Sequence, residues 1–304
     1  MYDLIIIGGG PAAVSAGIYA SRKKLKTLLI TKDWGGQISY ASSIYNYPGI
    51  IEITGMELAN KFTTHLKKNE LEIKEDEEVK GIKAISDSEI EIKTVNNSYK
   101  TKVAIISTGR IARKLGVPGE KEFIGKGITY CATCDAPLFQ DKKVAVIGGA
   151  NAGLGMAIEL VEYASKIYIL EVTAQLHADE SLQEKIKKID KIEIITKVTI
   201  IEIKGDKFVS GLVYSNGTGG SNKELPVEGI FLAIGSIANS SFIKDVVELN
   251  KQGEIKIDSS NRTSEPNIFA AGDVTDVSHK QIVIATGEGA KAALNAYDYI
   301  KKLK

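Results

Sequence analysis

The sequence predicts an α/β fold built from two copies of one strand–turn–helix–strand unit, and an internal repeat is the main ground for it. Asp3-Leu4-Ile5-Ile6-Ile7-Gly8-Gly9-Gly10-Pro11-Ala12-Ala13 reads as a buried strand, a glycine turn and the start of a helix. Lys143-Val144-Ala145-Val146-Ile147-Gly148-Gly149-Ala150-Asn151-Ala152-Gly153 reads the same way, and Gly148 stands 140 residues after Gly8. Each copy runs on into a second apolar strand, Thr27-Leu28-Leu29-Ile30 and Ile167-Tyr168-Ile169-Leu170. Length is the second ground: 304 residues exceed one ordinary domain and fall short of three.

An apolar strand that ends in a glycine turn against a helix start seats a pyrophosphate on the helix N–H groups. Two such units mark two Rossmann-like dinucleotide-binding domains. The candidate binding residues are Gly8, Gly10, Pro11 and Ala13 in the first copy, and Gly148, Ala150 and Gly153 in the second. The second strands lead to Thr31 and Glu171, each 23 residues beyond its first glycine. A carboxylate there accepts hydrogen bonds from the adenosine ribose hydroxyls and repels a 2′-phosphate. Val172, Thr173 and Ala174 bring no positive charge, so the second site is expected to suit NADH rather than NADPH. Ala150 departs from the pattern, standing where the first copy has Gly10. Its methyl group is expected to crowd the pyrophosphate by roughly 1–3 kcal/mol and so to weaken NADH binding. Residues 77–101 and 198–225 read as β hairpins or meanders. Residues 284–300 carry small and apolar side chains at helical spacing.

The only two cysteines form Cys131-Ala132-Thr133-Cys134-Asp135. A zinc site needs about four ligands. His65, His177 and His279 are far apart in sequence, so no metal site is expected. A structural disulfide over so short a loop would stabilise a chain of this size little. Thiol–disulfide exchange remains, with Asp135 beside the pair to move protons. Two nucleotide units around such a pair imply a relay from dinucleotide to flavin to disulfide.

With 39 basic and 38 acidic side chains the net charge is +1, which gives no footprint for nucleic acid or a membrane surface. No apolar run approaches a membrane span. The chain enters its first strand at once, leaving no room for a signal peptide, and it has no cysteines beyond the pair. A cytoplasmic location is therefore expected.

Several further stretches complete a pattern: Gly35-Gly36-Gln37, Asn46-Tyr47-Pro48-Gly49, Ser107-Thr108-Gly109, Gly235, Ala271-Gly272-Asp273 and Lys280-Gln281-Ile282. Together with the first glycine turn and the cysteine pair, they resemble the low-molecular-weight thioredoxin reductase family over essentially the whole chain. Within it the sequence is most similar to the reductase part of the alkyl hydroperoxide reductase flavoprotein, through Leu170-Glu171, Ala178-Asp179 and residues 281–291. The resemblance implies a pyridine nucleotide-disulfide oxidoreductase architecture of the class II type, with the second domain inserted in the first. The FAD domain would comprise 1–113 and 243–304, and the nicotinamide domain 114–242. It implies FAD along the first unit, with Gly8, Gly10 and Ala13 at the pyrophosphate. Gln37 and Asn46 would lie near the flavin, Asp273 at the ribityl and pyrophosphate region, and Gln281 and Ile282 on the ring. Gly36, Thr108, Gly109 and Gly272 belong to the same cofactor-binding set, and Gly235 is a cofactor-binding candidate within 114–242. The basic cluster that NADPH-using relatives carry after the second strand is absent at Glu171, Val172, Thr173 and His177.

By the same resemblance Cys134 is the thiol nearer the flavin, and Cys131 attacks a disulfide on thioredoxin, a glutaredoxin-like protein or a peroxidase-linked redox protein. Any thioredoxin-like module is expected as a separate protein. A homodimer and a swinging inserted domain are implied as well. Two alternatives stay open: a ferredoxin or deazaflavin donor, and a flavin-dependent dithiol oxidase.

Overall fold

The structure, a computed structural model, describes residues 1–41, 44–217 and 220–303, without the side chains of Tyr40 and Cys134. The chain forms two units, Met1–Ile111 with Ile237–Lys304, and Ala112–Ser236. Both crossings fall earlier in the chain than the expected 113/114 and 242/243. Arg113 N–H donates to Gly235 O (2.9 Å), and Arg113 lines the cavity of the second unit. On the return, Ala238 and Ile243 are buried in the core of the first unit. Turn-rich composition marks a loop, whereas burial decides which unit the loop joins.

In the first unit, Tyr2–Ile7 lies between Thr27–Ile30 and Ser98–Ile106, parallel to both, and Glu72–Lys74 extends the sheet beside Thr27–Ile30. Leu4, Ile5, Ile6, Leu28, Leu29 and Ile30 are wholly buried, as parallel strands covered on both faces require. Ser98–Ile106 is long enough to pair twice along one edge. Its first half takes antiparallel Glu89–Thr94, and its second half takes parallel Ile268–Ala270. Val79–Ser86, Glu89–Thr94 and Ser98–Ile106 pair antiparallel in succession, a meander over the stretch 77–101 read as β hairpins or meanders.

One sheet face is covered by the helices Pro11–Arg22 and Ile282–Lys302. Their contact is made by Ala12, Ala16 and Ala20 with Ala285, Ala292 and Ala296, all small enough for close approach. Gly289 sits at the tightest point: a Cβ there would lie 2.0 Å from the carbonyl oxygen of Ala12. The other face is covered by Ala238, Ile243, Val247, Ile255 and Val274. Thr54 begins the helix Gly55–Lys67 with a capping box, exchanging hydrogen bonds with Glu57.

The second unit has a parallel sheet in the order Ile192–Thr196, Lys166–Glu171, Lys143–Ile147, Gly229–Leu232, Ile128–Thr129. Val198–Gly205, Val209–Asn216 and Asn222–Leu225 form a separate antiparallel meander within 198–225. The two copies of the repeat share one register: Ile7 pairs with Ile30, and Ile147 with Leu170.

Candidate cofactor and disulfide sites

The two glycine turns match hydrogen bond for hydrogen bond. Gly8 N–H donates to Ile30 O and Gly148 N–H to Leu170 O, each at 2.9 Å. Beside them, Ser107 N–H reaches Ile7 O (2.9 Å) and Ala233 N–H reaches Ile147 O (2.8 Å). Gly8 and Gly148 have φ of +132° and +121°, and a Cβ on either would meet the Ser107 or Ala233 carbonyl oxygen at 2.2 or 2.3 Å. Only glycine fits there.

The third positions have the same extended backbone, φ −85° and ψ −175° at Gly10, φ −93° and ψ 179° at Ala150. Ala150 therefore does not strain the fold. A Cβ on Gly10 would meet nothing nearer than Gly35 O at 4.0 Å. The first turn leaves this space open, which fits a pyrophosphate on the helix that follows. In the second turn the Ala150 methyl stands at the corresponding position.

The first-unit candidates gather at the C-terminal ends of Tyr2–Ile7, Ser98–Ile106 and Ile268–Ala270, where open α/β sheets bind ligands. Gly36 abuts Gly10. The Gln37 amide donates to Arg110 O (3.1 Å), and Asn46 Nδ2 donates to Gln281 Oε1 (3.1 Å). Thr108 Oγ1 donates to Asn239 O (2.7 Å), and Asn239 N–H donates to Gly109 O (3.0 Å). Ile282 opens the last helix and packs on the small core around Ile38, Ile44 and Leu58. Gly272, with φ +77°, brings the chain against Ala12 and sets Asp273 beyond the strand end. Burial pushes the Asp273 carboxyl above its ordinary range, against the pull of Lys280 and Arg110. Its carboxylate oxygens can accept hydrogen bonds from hydroxyl groups.

Sequence reasoning missed Glu254. Its carboxylate accepts Arg110 Nη1 (2.8 Å) and Asn250 Nδ2 (2.8 Å), and pairs with Lys280 Nζ at 3.2 Å. Burial opposes its charge, but hydrogen bonds from Asn250, Lys280 and Arg110 hold it below the usual carboxylate range. No local pattern announces it, since Arg110 is 144 residues away.

In the second unit a cavity of about 560 Å³ is lined by Gly148, Gly149, Ala150, Glu171, Ala233 and Gly235, among others. Gly153 lies in the helix Asn151–Leu160 beneath the turn, where a Cβ would meet Gly148 O at 1.9 Å. Glu171 is buried, and both carboxylate oxygens have partners within the protein. Oε2 accepts Gly149 N–H (2.6 Å) and Oε1 accepts Thr173 N–H (2.9 Å); the one hydroxyl proton of Thr173 lies between Oε1 (2.8 Å) and Gln175 O (2.6 Å). Burial raises its pKa, yet the bonds from Thr173 and Gly149, with His177 nearby, bring it below the ordinary value. The loop after Glu171 is pinned across the turn: His177 N–H bonds to Gly149 O (2.9 Å), and Asn151 and Asp179 exchange two hydrogen bonds.

Cys131 is held in a disulfide and is 5% exposed. Its N–H donates to Thr129 Oγ1 (3.1 Å), and the Thr129 hydroxyl donates to Asp135. The expectation for the Cys134 side chain lies outside the described residues. Among the described residues no group of three or more His, Cys, Asp or Glu could hold a metal, and no helix is long and apolar enough to cross a membrane.

Comparison with known proteins agrees with this geometry. The sequence profile of the pyridine nucleotide-disulphide oxidoreductase family matches residues 2–289. The F subunit of alkyl hydroperoxide reductase from Staphylococcus epidermidis is 41% identical over 304 residues, covering 98% of this chain and 59% of that protein. The chain thus spans about three fifths of the length of the curated relatives it matches. Among solved structures, Lactococcus lactis thioredoxin reductase superposes with a TM-score of 0.89 at 36% identity, over 99% of this chain and 100% of that one. T. acidophilum thioredoxin reductase gives 0.86 at 38% identity, over 100% and 99%. Paired glycine turns, a disulfide in the second unit, likeness to the two thioredoxin reductases along their length and the profile match over residues 2–289 lead to one conclusion: the chain belongs to the pyridine nucleotide-disulphide oxidoreductase family.

Proposed function

We propose that the protein is an FAD-dependent disulfide reductase that takes electrons from NADH and delivers them to thioredoxin, a glutaredoxin-like protein or a peroxidase-linked redox protein. The observation that carries this reading is the Cys131 disulfide, placed with Asp135 in the unit that also holds a dinucleotide-type cavity. When bound, FAD and NADH supply two-electron transfer to that disulfide. Gly8, Gly10, Pro11 and Ala13 hold the FAD pyrophosphate, Asp273 its ribityl region, and Gln37, Asn46, Gln281 and Ile282 the ring. Gly148, Ala150, Gly153, Gly235 and Glu171 hold NADH. The Cys131 thiolate attacks one sulfur of the partner disulfide, breaking that bond, forming a mixed disulfide and releasing one partner thiolate. Cys134 then attacks the Cys131 sulfur, which closes the intrachain disulfide and releases the second partner thiolate. Asp135 carries the proton from the dithiol to a leaving thiolate. In this reading the protein acts in the cytoplasm as a homodimer, the latter checked by sedimentation.

Anaerobic titration of the FAD-loaded protein tests the donor. NADH should bleach the flavin at far lower concentration than NADPH, and the reverse order would sink the assignment. Glu171→Ala should weaken NADH by roughly 10- to 150-fold, since hydrogen bonds to a charged acceptor contribute about 1.5–3 kcal/mol.

A second reading keeps the dithiol chemistry and changes the donor to ferredoxin or a deazaflavin. The Ala150 methyl in the cavity favours it. Under the NADH reading, Ala150→Gly should tighten NADH about tenfold, equivalent to ~1.4 kcal/mol. Thioredoxin reduction by prereduced enzyme should not change. Negligible NADH turnover in both wild type and variant would favour the protein or deazaflavin donor.

A further inference from the structure

We propose that Thr129 is a positioning residue for the disulfide step, setting the Asp135 carboxylate for proton transfer; this rests on the reading of Asp135 as the proton carrier. Thr129 ends the short strand Ile128–Thr129, which Phe231 of the neighbouring strand holds in register. It is buried, at 8% exposure. A hydroxyl has one proton to give and two lone pairs to accept with. Here the proton goes to Asp135 Oδ2, and the oxygen accepts Cys131 N–H at 3.1 Å. One hydroxyl therefore joins the strand end, the backbone of the cysteine and the carboxylate.

The Cys131 N–H can only donate, so the Thr129 oxygen accepts there and the hydroxyl proton is the one given to Asp135. That fixes the direction of both bonds. Asp135 is also tied by its main chain, N–H to Cys131 O at 3.3 Å, but that bond leaves the side chain to turn. Thr129 is what stops it. With Oδ2 anchored, Oδ1 is the oxygen left to carry the proton. The Thr133 hydroxyl is directed elsewhere, donating to Glu159 at 2.9 Å. The step served is the exchange already described. The bond from Cys131 to the partner sulfur forms and the partner disulfide breaks. The proton given up by the dithiol reaches a leaving thiolate through Asp135, and no further reductant enters.

The test uses FAD-loaded wild type, Thr129→Val, Thr129→Ser, Asp135→Asn and the Val/Asn double variant. Dithionite-reduced enzyme is mixed with oxidised thioredoxin in stopped flow, and flavin reduction by NADH is followed separately. Thr129→Val should slow thioredoxin reduction about tenfold or more, as misplacement of a reacting group does. Flavin reduction should be unchanged, and Thr129→Ser should restore the rate. In the Asp135→Asn background, Thr129→Val should add nothing, because one residue acts through the other. Equal slowing by Thr129→Val with and without Asp135→Asn would overturn the proposal and leave Thr129 a strut for Cys131. Slowing by Asp135→Asn but not by Thr129→Val would overturn it while sparing the reading of Asp135. A harmless Asp135→Asn would remove that reading and this inference together. If Thr129→Val does not retain FAD, Thr129→Ala serves in its place.

Discussion

Cys131→Ser is expected to abolish electron delivery to thioredoxin while the protein still binds FAD and still bleaches with NADH. Cys131 and Cys134 are the only thiols in the chain, so nothing else can form the mixed disulfide. Cys134→Ser should abolish turnover as well, for a different reason: a mixed disulfide on Cys131 then has no neighbour to resolve it. The two variants should therefore separate on trapping. Cys134→Ser accumulates a covalent adduct with thioredoxin, visible on a non-reducing gel, and Cys131→Ser does not. Full dithiol-reductase activity in either variant would refute the central reading.

The second large effect concerns packing. Gly289→Ala places a methyl carbon 2.0 Å from Ala12 O and 2.9 Å from Ala12 Cα. Both are backbone atoms of the helix that starts at the first glycine turn, so the helices must part rather than a side chain turn aside. Overpacking of this kind costs typically about 1–3 kcal/mol and here should reach the upper end. We expect a melting temperature lower by roughly 5–10 °C and loss of FAD on gel filtration. Gly287→Ala on the same helix is the control. A Cβ there meets nothing within 4 Å, so the substitution should be neutral or stabilise by up to about 1 kcal/mol. Equal melting temperatures for the two variants would mean that the helix contact can relax.

The strands and both glycine turns could be read in the sequence because their causes are local. A run such as Leu4-Ile5-Ile6-Ile7 has no polar face to offer water, and Gly8 and Gly148 hold a φ that other residues avoid. The 140-residue repeat carried further than any single motif, reproducing register and hydrogen bonds alike. What could not be read depends on contacts remote in sequence or on chain direction. Glu254 finds Arg110 only after the sheet has formed. Thr129 looks like an ordinary strand-end threonine until the chain turns through residues 130–135 and returns Asp135 to it. Asn151 and Asp179 stand 28 residues apart, and only the folded turn shows that they clasp.

Glu171 has a consequence for how such a protein could change its coenzyme. The carboxylate expected to turn away a 2′-phosphate also holds the N–H groups of Gly149 and Thr173. Removing it to admit the phosphate strips those bonds at the same moment, and a buried donor left without an acceptor costs about 1–3 kcal/mol. A lineage or an engineer moving toward NADPH therefore meets a valley if Glu171 is changed first. The passable route begins elsewhere, with a substitution that gives Gly149 another acceptor while Glu171 is still present. Under the NADH reading, the coenzyme preference of this chain is then a matter of mutational order as much as of recognition.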